Sequence, residues 1–362
     1  MRGGMKKALC IAIALVVAAV AASCGQWKVS ALKDKKLCSI PNASAPGGVM
    51  MDFNESGTFN QSFSVRVFDG KIYTADNLLK RLQVLDRGGE PLLVIGPRMS
   101  REDAGEVKQS TFNFSVIGVI AVDSHGSIYV QNRLMPSGGP IRPDRGEEID
   151  FSPSYILVFD KSGALLHTIG QKGSPDIPFY YIEDMQIDRN DRLFVVSRSF
   201  DTWSVFRFDN RKRDFFITLG TADFRETEKG ETYKGRVENI RTFASGRNFL
   251  VSVAYYHGSR FKYRKIYNYS LEKAGRDERA TITIPDPKNE LFNLVDDKHL
   301  MLWNVEGSKI KFAILNLDGN VINNVLVRMW DGKSYEEIFA DETGQLYSAH
   351  VSRKDVEVVE WK

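Results

Sequence analysis

Six turn-forming corners recur along the chain at intervals of about 54 residues, and this repeat limits what the chain can fold into. They are Asp69-Gly70, Asp123-Ser124-His125-Gly126, Asp188-Arg189-Asn190-Asp191, Ser245-Gly246-Arg247-Asn248, Asp296-Asp297-Lys298-His299 and Asp341-Glu342-Thr343-Gly344. Asp and Ser suit such corners because a short side-chain acceptor bonds the backbone N–H groups of the turn, while Gly takes the positive φ. After each corner comes a short run with an aromatic or aliphatic centre, as in Lys71-Ile72-Tyr73-Thr74 and Gln345-Leu346-Tyr347-Ser348. A third run often closes on Asp, at 82–86, 156–160, 205–209 and 312–318, and a fourth runs to Gly at 92–96, 165–170 and 215–220. Many runs are apolar at consecutive positions rather than alternating, so both faces of each sheet should be covered.

Residues 116–130, VIGVIAVDSHGSIYV, followed by 155–170, YILVFDKSGALLHTIG, resemble the NHL-repeat family of β-propellers, with 70–96 and 181–220 the next best matches. The resemblance spans about residues 63–361 and implies an all-β fold, a six-bladed β-propeller of four-stranded antiparallel blades. The fourth and fifth units depart from the pattern, and the last shows only three strands. Lys36-Leu37-Cys38-Ser39-Ile40 can supply the missing strand and close the ring, removing an exposed edge.

The first 24 residues have a basic start, an apolar run over 8–22 and small residues before Cys24, which is the layout of a secretory signal. Val20-Ala21-Ala22-Ser23-Cys24-Gly25 resembles a bacterial lipobox, although Ala21 stands where Leu is usual, and Ala21 with Ser23 also suits ordinary signal peptidase. The lipobox implies lipidation of Cys24, with palmitate among its acyl chains, and a protein anchored in the bacterial cell envelope, facing periplasm or cell surface. Acylation would leave Cys38 alone; ordinary cleavage would leave a Cys24–Cys38 pair. The expected division is a signal at 1–23, a tether at 24–59 holding the closing strand near 36–40, and the propeller at 60–362. Loss of Arg2, Lys6 and Lys7 brings the 49 basic residues to 46, against 46 acidic ones. A chain of no net charge has no general pull toward phosphate backbones, so nucleic acid is not an expected partner.

No nucleophile elbow, Walker loop or dinucleotide fingerprint is present, and no cofactor is expected. The five histidines stand singly, without a His or Cys at metal-ligand spacing, so whether a metal binds is left open. Counting back from the corner Asp, Glu183 and Glu336 stand five residues before it and Asp184 and Glu337 four before, in units opposite each other. Two carboxylate pairs facing across the axial channel would form a site for a cation or polar ligand. The alternative pairs Asp184 with Arg241 of the adjoining unit. Loops on one face should gather Arg142 and Arg145 from the 132–154 insertion, Arg198 and Trp203, and Tyr256, His257, Arg260 and Tyr263. Residues 350–354 belong to the same face. These basic and aromatic residues can hold a ligand, or the 255–264 stretch can be a solvated hairpin. The leading expectation is a monomeric, membrane-anchored, non-enzymatic binding or scaffold module for an envelope protein or glycan. The competing one, which the resemblance also admits, is a metal-dependent lactonase-like hydrolase or lyase.

Overall fold

The computed structural model describes residues 29–362 except 61, 101, 103–104, 135–153, 171–178, 273–274 and 330–334. Cys24, Arg142 and Arg145 therefore lie outside the described residues. Six antiparallel sheets follow one another along the chain. The first blade is Phe63–Phe68, Lys71–Asp76, Arg81–Leu85 and Pro91–Gly96, and the second Val116–Val122, Ile128–Arg133, Ser154–Phe159 and Leu165–Ile169. Tyr181–Ile187, Leu193–Arg198, Thr202–Asp209 and Lys212–Gly220 make the third; Glu231–Thr242, Asn248–His257, Arg260–Ser270 and Gly275–Ile284 the fourth. The fifth is Glu290–Leu294, His299–Glu306, Lys309–Asn316 and Val321–Arg328, and the sixth opens with Tyr335–Ala340, Leu346–Val351 and Asp355–Trp361.

The consecutive apolar positions are shared out by the two-residue period of a strand. In the third blade Leu193 and Val195 pack toward the second, while Phe194 and Val196 pack toward the fourth. In the second, Leu157 and Phe159 meet the first blade, and Ile156 and Val158 meet the third. Every neighbouring pair of blades shares such a cluster, the last joining Phe339, Tyr347 and Val358 to Phe63, Val65 and Ile72. That final contact turns a row of sheets into a ring. Each large apolar side chain so enclosed contributes about 1.5–3 kcal/mol, which is why the inner faces carry so few polar groups.

Closure uses the expected strand. Asp34–Pro41 pairs antiparallel with Asp355–Trp361, placing Ile40 opposite Val356 and Cys38 opposite Val358. The described part of the stretch expected as tether, residues 29–59, holds further pairing. Val29–Ala31 pairs parallel with the outer strand of the fifth blade, at Asn324, Val325 and Leu326. Beyond the closing strand, Asp52–Phe53 and Phe59–Asn60 form a small hairpin. Between them the chain is latched to the first blade by buried polar side chains. Arg81 donates to the carbonyls of Ser44, Ala45 and Gly48, Gln83 bonds Gly47 and Gly48, and Asp76 accepts from the Met50 N–H. A Pro- and Gly-containing stretch with unpaired backbone groups reads as tether in sequence; here those groups find partners on the neighbouring blade.

The corners behave as turn chemistry dictates. Oδ1 of Asp123 accepts from the His125 and Ser127 N–H groups, and Asp341 treats Thr343 and Gln345 the same way. In the third blade Asp191 itself adopts φ 58°, where the second and sixth corners use Gly126 and Gly344. Its carboxylate accepts from Ser124 of the second blade at 2.8 Å and 2.7 Å, so the strained residue doubles as a link between blades.

Candidate functional site

The inner strands of four blades carry a bulge at related places: between Ile117 and Ile120, Ile182 and Asp184, Val237 and Asn239, and Leu291 and Asn293. Glu183, Glu238 and Phe292 are the extra residues of the last three. The first and sixth inner strands pair without such a shift. Counting from the corners therefore equates positions that differ. Glu183 stands on a bulge, whereas Glu336 is paired in register with His350. In the fourth blade the turn closes from Phe243 to Asn248, one residue longer than the Asp188 to Arg192 turn, so Glu238 rather than Ile240 corresponds to Glu183.

Each of the four expected carboxylates stands beside a basic side chain. Glu183 meets Arg198 at 2.9 Å; burial pushes its carboxyl above the usual range, and Arg198 offsets only part of that. Asp184 pairs with Arg241 and accepts from Gln186 Nε2 at 2.7 Å. Glu337 meets Arg66 at 2.7 Å, and Glu336 lies 3.0 Å from His350 Nδ1. Ser348 Oγ is 2.7 Å from His350 Nε2 and accepts from Trp361 Nε1 at 2.8 Å. Serine, histidine and glutamate thus stand in the order of a hydrolytic triad, with Ser348 and His350 both 0% exposed. His350, expected on the loop face, lies fully buried inside a strand of the sixth blade.

The residues expected on the loop face are divided. Arg198 lies over the Trp203 ring at 5.6 Å, so the residues assigned to face and channel meet through Glu183–Arg198–Trp203. Trp203 itself is buried against the fourth blade. Tyr256, His257, Arg260 and Tyr263 stand on a hairpin turned by Gly258 and Ser259. Its rings pack on one another and on Tyr233, and Tyr263 donates its hydroxyl to Glu226 at 2.6 Å.

A cleft of about 240 Å³ opens between the inner parts of the fourth and fifth blades. Glu238, Asn239, Arg241 and Ser252 line it from one side, and Glu290, Leu291, Phe292 and Trp303 from the other. Two of the bulged residues, Glu238 and Phe292, face into it. Three of its polar side chains are already held: Arg264 Nε donates to Glu238 at 2.5 Å, Arg241 Nε to the Phe292 carbonyl at 2.9 Å, and Asn239 Nδ2 to the Leu291 carbonyl at 2.7 Å. Phe292 and Trp303 stand 5.3 Å apart and supply the apolar wall. Ser252 is 1% exposed, and its Oγ has no hydrogen-bond partner among the described residues. Of this set only Arg241 was legible in the sequence. The rest depend on bulges that no spacing reveals, although Trp303 and Glu238 are unusual residues for apolar runs.

Among the described residues no group of three or more His, Cys, Asp or Glu side chains is placed to hold a metal ion. No family model and no curated protein matches the chain. Among solved structures it is similar to a Dos1 propeller, at 13% identity and TM-score 0.37 over 90% of this chain and 70% of that one. A protein of unknown function from Bacteroides caccae is similar at 10% identity and TM-score 0.37, over 76% and 93%. A eukaryotic initiation factor is similar at 11% identity and TM-score 0.33, over 88% of each. Likenesses of this strength say nothing about function, and the six-bladed ring rests on the strand pairing above.

Proposed function

We propose that the chain is an exported lipoprotein, anchored through an acylated Cys24, whose NHL-like ring binds an envelope protein or glycan without transforming it. The state of the inner-strand carboxylates supports binding over catalysis. Glu183, Asp184, Glu336 and Glu337 stand against Arg198, Arg241, His350 and Arg66. A carboxylate already committed to an arginine, as Asp184 and Glu337 are, is a poor general base and a poor metal ligand. The export and anchor rest on the basic start, apolar run and small residues before Cys24.

Intact-mass spectrometry of the mature protein from a bacterial host tests the anchor; the expected product begins at Cys24 and carries acyl chains, and an unmodified Cys24 overturns it. Native mass spectrometry with calcium, magnesium and zinc tests the absence of turnover chemistry. A stoichiometric divalent ion that disappears in the Glu183→Gln, Glu336→Gln double variant would move the protein to the hydrolase class.

A further inference from the structure

We infer that the cleft between the fourth and fifth blades is a binding site for one neutral, polyhydroxylated ring, a single sugar unit or cyclic polyol. This rests on the reading of the propeller as a binding module. The primary observation is Ser252, a buried hydroxyl that lines the cleft and has no partner among the described residues. A buried hydroxyl left unpaired is costly, and one that both donates and accepts is suited to a ligand hydroxyl, which does the same.

The rest of the lining fits the same ligand. Glu238 is fixed by Arg264, which also stands 3.7 Å from Glu290, and Arg241 by Asp184 and the Phe292 carbonyl, so each charged side chain of the lining has a partner before any ligand arrives. A charged ligand would disturb those pairs, whereas neutral hydroxyls can add to their remaining hydrogen-bonding positions. Phe292 and Trp303, tilted against each other at 5.3 Å, supply the apolar part of the lining on which the C–H side of a sugar can lie. A cleft of about 240 Å³ is on the scale of a single ring.

The test is saturation-transfer NMR on the purified full-length protein with glucose, galactose, N-acetylglucosamine and myo-inositol. Methyl glycosides separate a free ring from a chain-terminal one, either of which supports the site, and butylamine and acetate serve as charged controls. At least one neutral ring should bind. Ser252→Val and Trp303→Ala should each weaken it about tenfold or more, while Arg260→Ala on the separate hairpin should not. Ser252→Ala, which removes the unpartnered hydroxyl and adds no bulk, should lose binding in the same way and melt close to the native protein; lost binding would then not be lost folding. Binding by no neutral ring, full affinity in Ser252→Val, or binding of the charged controls alone would overturn the site. Absence of a sugar signal with an acylated Cys24 removes this site and leaves the envelope reading. A sugar signal with an unmodified Cys24 does the reverse.

Discussion

Asp160 and Asp188 make the same two bonds to the backbone of their own turns, at 2.7 and 2.9 Å and at 2.8 and 3.0 Å. Behind Asp188, however, stands Arg192 at 2.7 Å, and the Asp188 side chain is fully buried. Asp188→Ala should therefore cost about 2–4 kcal/mol and Asp160→Ala about 0.5–1.5 kcal/mol, measured as urea-unfolding free energies. Equal losses would mean that the turn bonds alone matter. Glu226 gives a pH-dependent counterpart. Its carboxylate accepts from Tyr263, Tyr267 and both ways from Lys265, at 2.6, 3.0, 2.6 and 2.7 Å. Burial raises its pKa, but the hydrogen bonds from Lys265, Tyr263 and Tyr267 outweigh that and leave it below the usual carboxylate range. A depressed folded-state pKa contributes stability that is present above the ordinary glutamate value and is lost as pH falls through the depressed one. Glu226→Gln should lower stability at pH 7 by about 1–3 kcal/mol and flatten the acid side of the stability curve. An unchanged acid limb would remove Glu226 from the account.

At the scale of elements, the closing strand gives the sharpest expectation. Ile40 is fully buried between the sixth and first blades, so Ile40→Ala should cost about 2–5 kcal/mol, read from the urea midpoint. A loss below about 1 kcal/mol would mean that the ring stays shut without it. This strand was legible because Leu37, Cys38 and Ile40 form an apolar run and the last unit lacked a partner. The Asp corners were legible because their chemistry is local: acceptor, N–H and turn lie within a few residues. Val29–Ala31 was not, since three residues carry no period and their pairing is decided by a strand nearly three hundred positions away. The axial pairs were misaligned for a related reason. A bulge adds one residue to one strand without changing composition, so Glu183 and Glu336 share a distance to the corner but not an environment.

For the whole molecule, the ring is held shut by a single ribbon. Residues 29–60 touch the fifth blade, complete the sixth and are latched onto the first before the chain enters its own first strand. Cys38 lies on that ribbon, 5% exposed, and burial pushes its thiol up to about 12. In the native protein it should resist alkylation at pH 8 and react on unfolding; rapid native labelling would show the ribbon peeling away.

The pairing of Val29 with the fifth blade sets the length of any leash. If Cys24 carries the anchor, five residue steps separate lipid from the rim of the fifth blade, at most about 17 Å of extended chain rather than the span of a long tether. The ring would then ride close to the bilayer with the fifth blade nearest and the second farthest. A cysteine at Ile322 on the fifth blade should be labelled by a bulky membrane-impermeant reagent more slowly than one at Leu166 on the second, although both positions are about half exposed in the free ring. A flexible insert after Lys28 should erase the difference. The lipid would then fix which side of the wheel meets the outside, not merely where the wheel is kept.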